Sequence, residues 1–288
     1  MTAERAPALL RLDHIVIAVG DLAQTCTDFR ALGFTVLAGG EHAGRPSHNA
    51  LVVLADGAYL ELIAWRAPAP QERWYRDHAA HGDGLVDFAL LPHDTGAVLA
   101  AARQRGLASL SGPFDGRRLR PDGEQLKWQT ARHDTPDLPF LCGDITPRSL
   151  RVPEGDARRH GNGASGVASL VVAVHDIEAS LARYRALLGD DAVIGAARAD
   201  GASGCLSADI ELGGCRLQLR TPDPSVTAET SAAAALRQRL ATRGQGPCAL
   251  VLRGQPGASA QAFDTALCHG VALQLAPAGH QDAVRGLT

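Results

Sequence analysis

The chain repeats one pattern twice, about 155 residues apart, and this repetition limits the possible folds more than any other feature. Residues 12–22 read Leu-Asp-His-Ile-Val-Ile-Ala-Val-Gly-Asp-Leu, and residues 167–177 read Val-Ala-Ser-Leu-Val-Val-Ala-Val-His-Asp-Ile. The similarity continues where Ala-Tyr-Leu-Glu-Leu (58–62) matches Cys-Arg-Leu-Gln-Leu (215–219). A repeat of strand, helix and further strands predicts a duplicated architecture.

Each copy divides into smaller units with the same order of elements. Over 11–66 the pattern is strand, helix and three strands, with Asp21 as a helix N-cap and Gly33 as its end. The order restarts near Leu85, with Asp94 as the next cap, and twice more after residue 164. The sequence therefore predicts an α+β protein of four βαβββ modules in two pairs, the last incomplete. The expected domains are 1–150 and 165–288.

Turn-forming and polar residues mark the expected loops. Gly and Pro predict a loop over 39–46, and a polar stretch predicts another over 112–124. Arg117, Arg118 and Arg120 fall in the second loop. We interpret them as solvated, with contact to an anionic substrate as the alternative. In the last module, a helix is expected over 260–267.

Composition excludes several classes of partner. The chain has 288 residues, 45% of them hydrophobic, and a formal net charge of -3. This charge argues against nucleic acid or an anionic membrane as partner. No apolar run is long enough for a membrane span. The 6 cysteines form no C-x-x-C pair and the first residues show no apolar signal segment, so a cytoplasmic protein is expected.

The two copies differ at positions that matter for chemistry. His14 in the first copy corresponds to Ser169 in the second, and Glu61 corresponds to Gln218. The first copy thus keeps two groups that can bind a metal or move a proton, whereas the second has lost both. We expect the reactive site in the first half, with the second half as a structural or dimerising partner.

Several segments together resemble the vicinal oxygen chelate superfamily, which includes glyoxalase I, extradiol dioxygenases and bleomycin-resistance proteins. They are Leu12-Asp13-His14-Ile15-Val16, Leu32-Gly33-Phe34-Thr35-Val36, Gly39-Gly40-Glu41-His42, Ser47-His48-Asn49-Ala50 and Tyr59-Leu60-Glu61-Leu62-Ile63. The His-Asn-Ala and Tyr-Leu-Glu-Leu runs are similar to the glyoxalase-like domain subgroup. The resemblance implies that paired modules curl into half-closed sheets, each forming a cup with helices outside.

The resemblance also implies a metal site in the first cup. Active members take their ligands from the first and last strands of each module, which points to His14 and Glu61 here. Aligning the Asp94 cap with the Asp21 cap places Asp87 at the position of His14. His14, Glu61 and Asp87 are therefore the expected ligands of one divalent ion (Zn, Ni, Mn or Fe).

This ligand set departs from the family pattern, so a metal-free site stays open. Asp87 stands where histidine is usual. The strand near 140–144 offers Cys142, with Asp144 two residues on as a weaker candidate, where a glutamate is expected.

Other polar and aromatic residues are candidates for catalysis or substrate binding. His42 or Glu61 can move a proton, and His48 and Asn49 can hydrogen-bond a carbonyl or carboxylate oxygen. Tyr59 and Trp65 are candidates for the cavity wall. The structural alternative for the histidines is that their hydrogen bonds fix a loop. The structural alternative for Trp65 is that it covers the seam between modules.

These observations favour a metal-dependent lyase or isomerase that acts on a small oxygenated molecule. A metal-free protein that sequesters a ligand, like bleomycin-resistance proteins, is the alternative. An extradiol-type dioxygenase is third, because no second histidine occupies the matching strand position. The expected partner is a small molecule, and a homodimer is left open.

Overall fold

A computed structural model describes residues 10–120, 122–226 and 230–279. Its β-strands form two sheets, one from each half of the chain. Within these described ranges, no helix is long and apolar enough to cross a membrane. The predicted lack of a signal segment concerns the first residues, which lie outside the described part of the chain.

The first sheet closes on itself. Its eight strands follow the order β1-β4-β3-β2-β6-β7-β8-β5, so two βαβββ modules complete one barrel. Antiparallel pairing of β1 with β5 and of β2 with β6 joins the modules. The α+β fold is confirmed, and the expected half-closed cup is a closed barrel. The elements are β1 (Arg11–Ala18), α1 (Leu22–Ala31), β2 (Leu37–His42), β3 (Ser47–Val53), β4 (Tyr59–Trp65), α2 (Arg73–His81), β5 (Gly84–Leu91), α3 (Thr95–Gln104), β6 (Ser111–Leu119), β7 (Gln125–Arg132) and β8 (Phe140–Asp144).

The second sheet stays open. Its seven strands follow the order β10-β11-β12-β9-β13-β15-β14. The barrel ends at residue 144 and the second sheet begins at residue 164, while the predicted domain limits stay a prediction. The elements are α4 (Arg148–Arg151), a 3₁₀ turn (Gly155–Arg158), β9 (Ala164–Ala173), α5 (Ile177–Leu188), β10 (Arg198–Asp200), β11 (Cys205–Leu212), β12 (Cys215–Pro222), α6 (Ser231–Thr242), β13 (Gly246–Gly254), β14 (Gln261–Ala262) and β15 (Ala272–Ala276).

Aspartate caps begin the first helix of three modules. The carboxylates of Asp21, Asp94 and Asp176 each accept a hydrogen bond from the backbone N–H three residues later, at 2.9–3.0 Å. Such caps satisfy N–H groups that have no partner within the helix. The predicted caps at Asp21 and Asp94 are confirmed, which fixes the correspondence between the two barrel modules.

Alternation along the strands separates a packed face from a cavity face. Ile15, Ile17, Leu60 and Leu62 are fully or almost fully buried on the outer face of the barrel. They belong to a single apolar core that continues into the second sheet. Because side chains alternate along a strand, the residues between them point into the barrel. Burial of the outer face thus leaves the inner face available for polar groups.

Three local predictions are wrong. Gly39 and Gly40 lie in strand β2 rather than in a loop, and most of the polar stretch 112–124 forms β6. The expected helix over 260–267 is replaced by the short strand β14 and a series of turns. In the first two cases, long-range pairing of β2 with β3 and β6 overrides the local preference of glycine and polar residues for loops.

Candidate functional site

A cavity of about 650 Å³ fills the interior of the barrel. Polar and aromatic side chains from both modules line it, and the inward rows of β3 and β4 supply part of its wall. Those rows are Ser47, Asn49 and Leu51 on β3, and Tyr59, Glu61 and Ile63 on β4.

Glu61 lies at the centre of this wall and is 5% exposed. Its Oε1 accepts a hydrogen bond from the Asn49 side-chain amide at 2.5 Å. The Nε2 atoms of His14 and His42 lie 3.5 and 3.7 Å from its two carboxylate oxygens. Burial opposes ionisation, but His14, His42 and the Asn49 hydrogen bond outweigh it, so the pKa of Glu61 lies below its ordinary value. The carboxylate is therefore ionised at neutral pH.

His14 is held from behind by a buried carboxylate. Its Nδ1 lies 2.7 Å from Asp13 Oδ2, and its ring stacks on Tyr59 with centroids 4.6 Å apart. A register shift in the β1–β5 pairing falls between Leu12 and His14. This bulge lets Asp13 and His14 contact each other although they are neighbours in a strand. The arrangement fixes the ring and turns Nε2 toward Glu61.

His42 ends strand β2 and approaches the Glu61 carboxylate oxygen that His14 does not. Its Nδ1 lies 3.0 Å from the hydroxyl of Ser47. Burial lowers the pKa of His42 despite the nearby Glu61 charge, so its ring is neutral at pH 7. In both His14 and His42, Nε2 thus lies beside Glu61 and Nδ1 already has a hydrogen-bond partner.

Asp87 does not join His14 and Glu61. Its carboxylate forms an ion pair with Arg73 and accepts a hydrogen bond from Trp74 Nε1 at 2.8 Å. Arg73 and Trp74 lie on α2. The structure thus gives Asp87 cationic and N–H partners that compete with any metal ion.

Among the described residues, one group of three potential ligands has all its ligand atoms within 4.8 Å of one another, namely Asp13, His14 and Cys142. Asp13 already pairs with Arg148 and Arg151. Burial raises the pKa of Cys142 to about 12, so its thiol is protonated. A divalent ion bound by this group would have to displace both the arginines from Asp13 and the proton from Cys142. The weaker candidate Asp144 is likewise paired with the same two arginines.

Two predicted substrate-binding residues lie away from the cavity wall, and two lie on it. His48 alternates with the inward row of β3 and does not line the cavity. Trp65 donates to Glu72 at 2.8 Å and packs near Tyr75. Asn49 and Tyr59 do line the cavity. Their part in substrate binding stays a prediction.

The second sheet carries the expected replacements at matching positions. In the barrel, β1 and β4 pair so that His14 lies beside Tyr59 and Val16 beside Glu61. In the second sheet, β9 and β12 pair so that Ser169 lies beside Arg216 and Val171 beside Gln218. Ser169 and Gln218 thus occupy the places of His14 and Glu61.

The sequence interpretation of Arg118 as a solvated residue is wrong, because its side chain is buried in the cavity wall. It lies on β6 opposite His42, is 4% exposed, and donates to Asn49 Oδ1 at 2.9 Å. Asn49 thereby links Arg118 to Glu61. The signal in the sequence was weak, because Arg118 stands among polar and glycine residues.

Gly39 makes room for this link between Asn49 and Arg118. A Cβ atom at Gly39 would lie 2.0 Å from Asn49 Oδ1 and 2.6 Å from Arg118 Nη1. We expect Gly39→Ala to lower the free energy of unfolding by about 1–3 kcal/mol through overpacking. Urea unfolding measures the change.

The matched control is Gly96→Ala in helix α3. There the nearest contact of the new Cβ would be Asp94 Oδ1 at an ordinary 3.4 Å. This variant should be neutral or gain several tenths of a kcal/mol, about what alanine gains over glycine in a helix. Equal stability of the two variants would show that Gly39 has no packing role.

Comparison with known proteins identifies the family. The model of the glyoxalase-like domain matches residues 12–188, which is more than half of the chain. The chain belongs to this family, and the resemblance to the vicinal oxygen chelate superfamily is confirmed. The match covers the barrel from residue 12 onward and extends through α5.

Solved structures with low sequence identity share the fold. A hypothetical protein from Staphylococcus aureus has a TM-score of 0.66 at 16% identity, covering 93% of this chain and 100% of that one. A mutant of 4-hydroxymandelate synthase from Streptomyces coelicolor has a TM-score of 0.58 at 16% identity, covering 86% and 71%. A fusion of a xylose isomerase-like TIM barrel with 4-hydroxyphenylpyruvate dioxygenase has a TM-score of 0.51 at 18% identity, covering 88% of this chain and 37% of that one.

Proposed function

We propose that the barrel binds one divalent metal ion between His14, His42 and Glu61. In this proposal the protein is a lyase or isomerase that acts on a small oxygenated molecule. The observation that carries it is the approach of two imidazole nitrogens, at 3.5 and 3.7 Å, to the two oxygens of one buried carboxylate. These contacts are long for hydrogen bonds, so the three groups face a shared space. Two imidazoles and a carboxylate form a donor set that suits Zn, Ni, Mn or Fe(II).

The groups behind the proposed ligands support the same assignment. Metal-binding histidines usually donate their other ring N–H to a carboxylate or another acceptor, as His14 can to Asp13 and His42 to Ser47. Because the two rings approach different oxygens of Glu61, binding one ion requires a rotation of the carboxylate or of the His42 ring.

The chain's own residues then define what the site can do. A bound ion would polarise a carbonyl or enediolate oxygen of the substrate. Asn49 orients the Glu61 carboxylate through its 2.5 Å hydrogen bond, and Tyr59 holds the His14 ring by stacking.

Metal retention tests the proposal. Tag-free protein is incubated with Zn, Ni, Mn or Fe(II), dialysed and analysed for metal content. We expect about one equivalent in the wild type, and at least a roughly 100-fold weaker affinity in His42→Ala and Glu61→Gln, because each removes a direct ligand. His48→Ala is the matched control, since this neighbouring histidine does not line the cavity.

Two results would contradict the metal site. One is the absence of retained metal in the wild type with all four ions. The other is an equal loss of metal in His48→Ala and His42→Ala. Retention of Fe(II) alone would favour oxygenase chemistry, since two histidines and a carboxylate also form the site of non-haem iron oxygenases.

A metal-free ligand-binding protein is the second candidate function. The partners of Asp87 and the protonated Cys142 thiol favour it, because both remove ligands that the family pattern would supply. In that case the His14–Glu61–His42 group would bind the polar end of a ligand by hydrogen bonds.

A further inference from the structure

Three arginines that line the barrel cavity differ in which groups lie beside their charge. Arg151 forms ion pairs with Asp13 and Asp144. Arg132 lies 3.7 Å from Asp87, and its guanidinium also lies over two aromatic rings. Arg118 differs from both in having a neutral amide as its hydrogen-bond partner.

Arg118 is buried without a carboxylate partner. Its Nη1 donates to Asn49 Oδ1 at 2.9 Å, and it is 4% exposed. Within the ranges that the structure describes, no acidic oxygen lies within the 4.0 Å of an ion pair with Arg118. The Glu61 carboxylate acts on the Arg118 charge from beyond this distance, and burying a charge without a counterion in direct contact is unfavourable. Because Arg118 lines the cavity, an anion bound there could place a negative charge directly beside its guanidinium.

The surroundings of Arg118 favour an anion over a neutral ligand. Further cationic side chains line the same cavity, and each of its three acidic residues already accepts a hydrogen bond from a protein side chain. These bonds join Asn49 to Glu61, Trp65 to Glu72 and Gln129 to Asp115. An excess of positive charge around a concave site attracts small anions and raises their rate of association. The cationic residues are Arg45, Arg117 and Lys127.

The remaining wall suits a flat apolar body. Trp74, Trp128 and Phe140 line the cavity, and the rings of Trp74 and Phe140 lie 5.5 Å apart. A cavity of about 650 Å³ is within the range of small-molecule sites. Aromatic walls with one buried cation match a ligand that has a ring and one negative group.

We propose that the barrel cavity binds small aromatic acids and that Arg118 binds their carboxylate. This inference rests on the proposed function only in placing the ligand inside the barrel. Asn49 joins Arg118 to Glu61, so the bound carboxylate lies one amide group away from the Glu61 centre. Arg118 therefore fixes the orientation of the ligand relative to that centre.

Benzoate and its neutral isostere benzamide test the charge requirement. The chain has 3 tryptophans, and two of them, Trp74 and Trp128, line the cavity, so intrinsic fluorescence reports binding. The titration uses full-length protein treated with a chelator, which removes any contribution of metal to carboxylate binding. We expect benzoate to bind at least about 10-fold more tightly than benzamide, because hydrogen bonds to charged groups are the stronger ones.

Variants of Arg118 test whether this residue causes the preference for benzoate over benzamide. Arg118→Met should weaken benzoate binding about 10- to 100-fold and leave benzamide binding unchanged. Arg118→Lys keeps the charge and should give an intermediate affinity, which covers the case in which the methionine variant does not fold. The matched control is Arg76→Met, an exposed residue outside the cavity wall, which should bind benzoate like the wild type.

The outcomes separate this inference from the metal proposal. Preference for benzoate that depends on Arg118, in a protein that retains no metal, supports the carboxylate site and overturns the metal site. Retained metal with equal affinities for benzoate and benzamide overturns the carboxylate site. Failure of the wild type to bind benzoate, or unchanged binding in Arg118→Met, also overturns it.

Discussion

Replacing Arg151 with methionine should destabilise the protein by about 3–5 kcal/mol, the usual cost of removing one partner of a buried ion pair. Arg151 is 5% exposed and Asp13 is fully buried. Two nitrogens of Arg151 donate to the two oxygens of Asp13, at 2.7 and 3.1 Å. Two also donate to Asp144, and one to the hydroxyl of Tyr59. The variant would leave Asp13 charged in the core with Arg148 as its remaining cation.

Urea and thermal unfolding measure this loss. For a chain of this size, the change corresponds to a fall in the melting temperature on the order of 10 °C. Arg159→Met is the control, because the Arg159 side chain is 81% exposed and should contribute little. A loss in Arg151→Met no larger than in the control would show that this ion pair does not stabilise the fold.

The pH dependence gives a second readout of the same interaction. Burial opposes the charge of Asp13, but Arg151 and the His14 hydrogen bond outweigh it, and the pKa of Asp13 lies well below its usual value. A lowered folded-state pKa contributes stability above the unfolded value near 3.9, and this contribution is lost as the pH falls through the folded value. The difference in free energy of unfolding between wild type and Arg151→Met should therefore become smaller below about pH 4.

Asp137→Ala should cost about 3 kcal/mol by breaking a buried contact between the two halves of the chain. Asp137 lies in the loop before β8 and is fully buried. Its Oδ2 accepts hydrogen bonds from Ser180 Oγ at 2.7 Å and from Arg183 Nη2 at 2.5 Å, both on α5. Alanine would leave the buried Ser180 hydroxyl and the partly buried Arg183 charge without this partner.

A double-mutant cycle isolates the coupling across the two halves. Asp137→Ala and Arg183→Met together should cost about 1–3 kcal/mol less than the sum of the single variants. Asp134→Ala, in the same loop but exposed, serves as the control. Strict additivity in urea unfolding would mean that this pair does not couple the barrel to α5.

The polar centre of the cup was largely predictable, because it depends on strand alternation. Leu60 and Leu62 are apolar and Glu61 between them is not, so a strand that buries the leucines must turn Glu61 to the other face. The repeat made the prediction sharper, since His14 and Glu61 are the polar positions that the second copy replaces. Whether these residues bind metal stays a prediction.

The partners of the site residues were not predictable. The alignment of Asp87 with His14 follows from caps that the structure confirms, but α2 brings Arg73 and Trp74 to this carboxylate. Arg118 is cross-strand to His42, 76 residues earlier in the chain, through the pairing of β2 with β6. Neither contact produces a periodic pattern in the sequence, because each depends on how segments far apart in the chain pack together.

The sequence by itself determined the modules, their helix caps and the face of each strand that is buried, since these follow from interactions between residues close in the chain. Tertiary structure alone decided that the first sheet closes into a barrel and the second stays open. It also decided that Arg118 has a neutral amide as its hydrogen-bond partner and, among the described residues, no carboxylate in direct contact. The physical reason is that closure and charge pairing depend on contacts between residues far apart in the chain, whose positions are set only when the whole core packs.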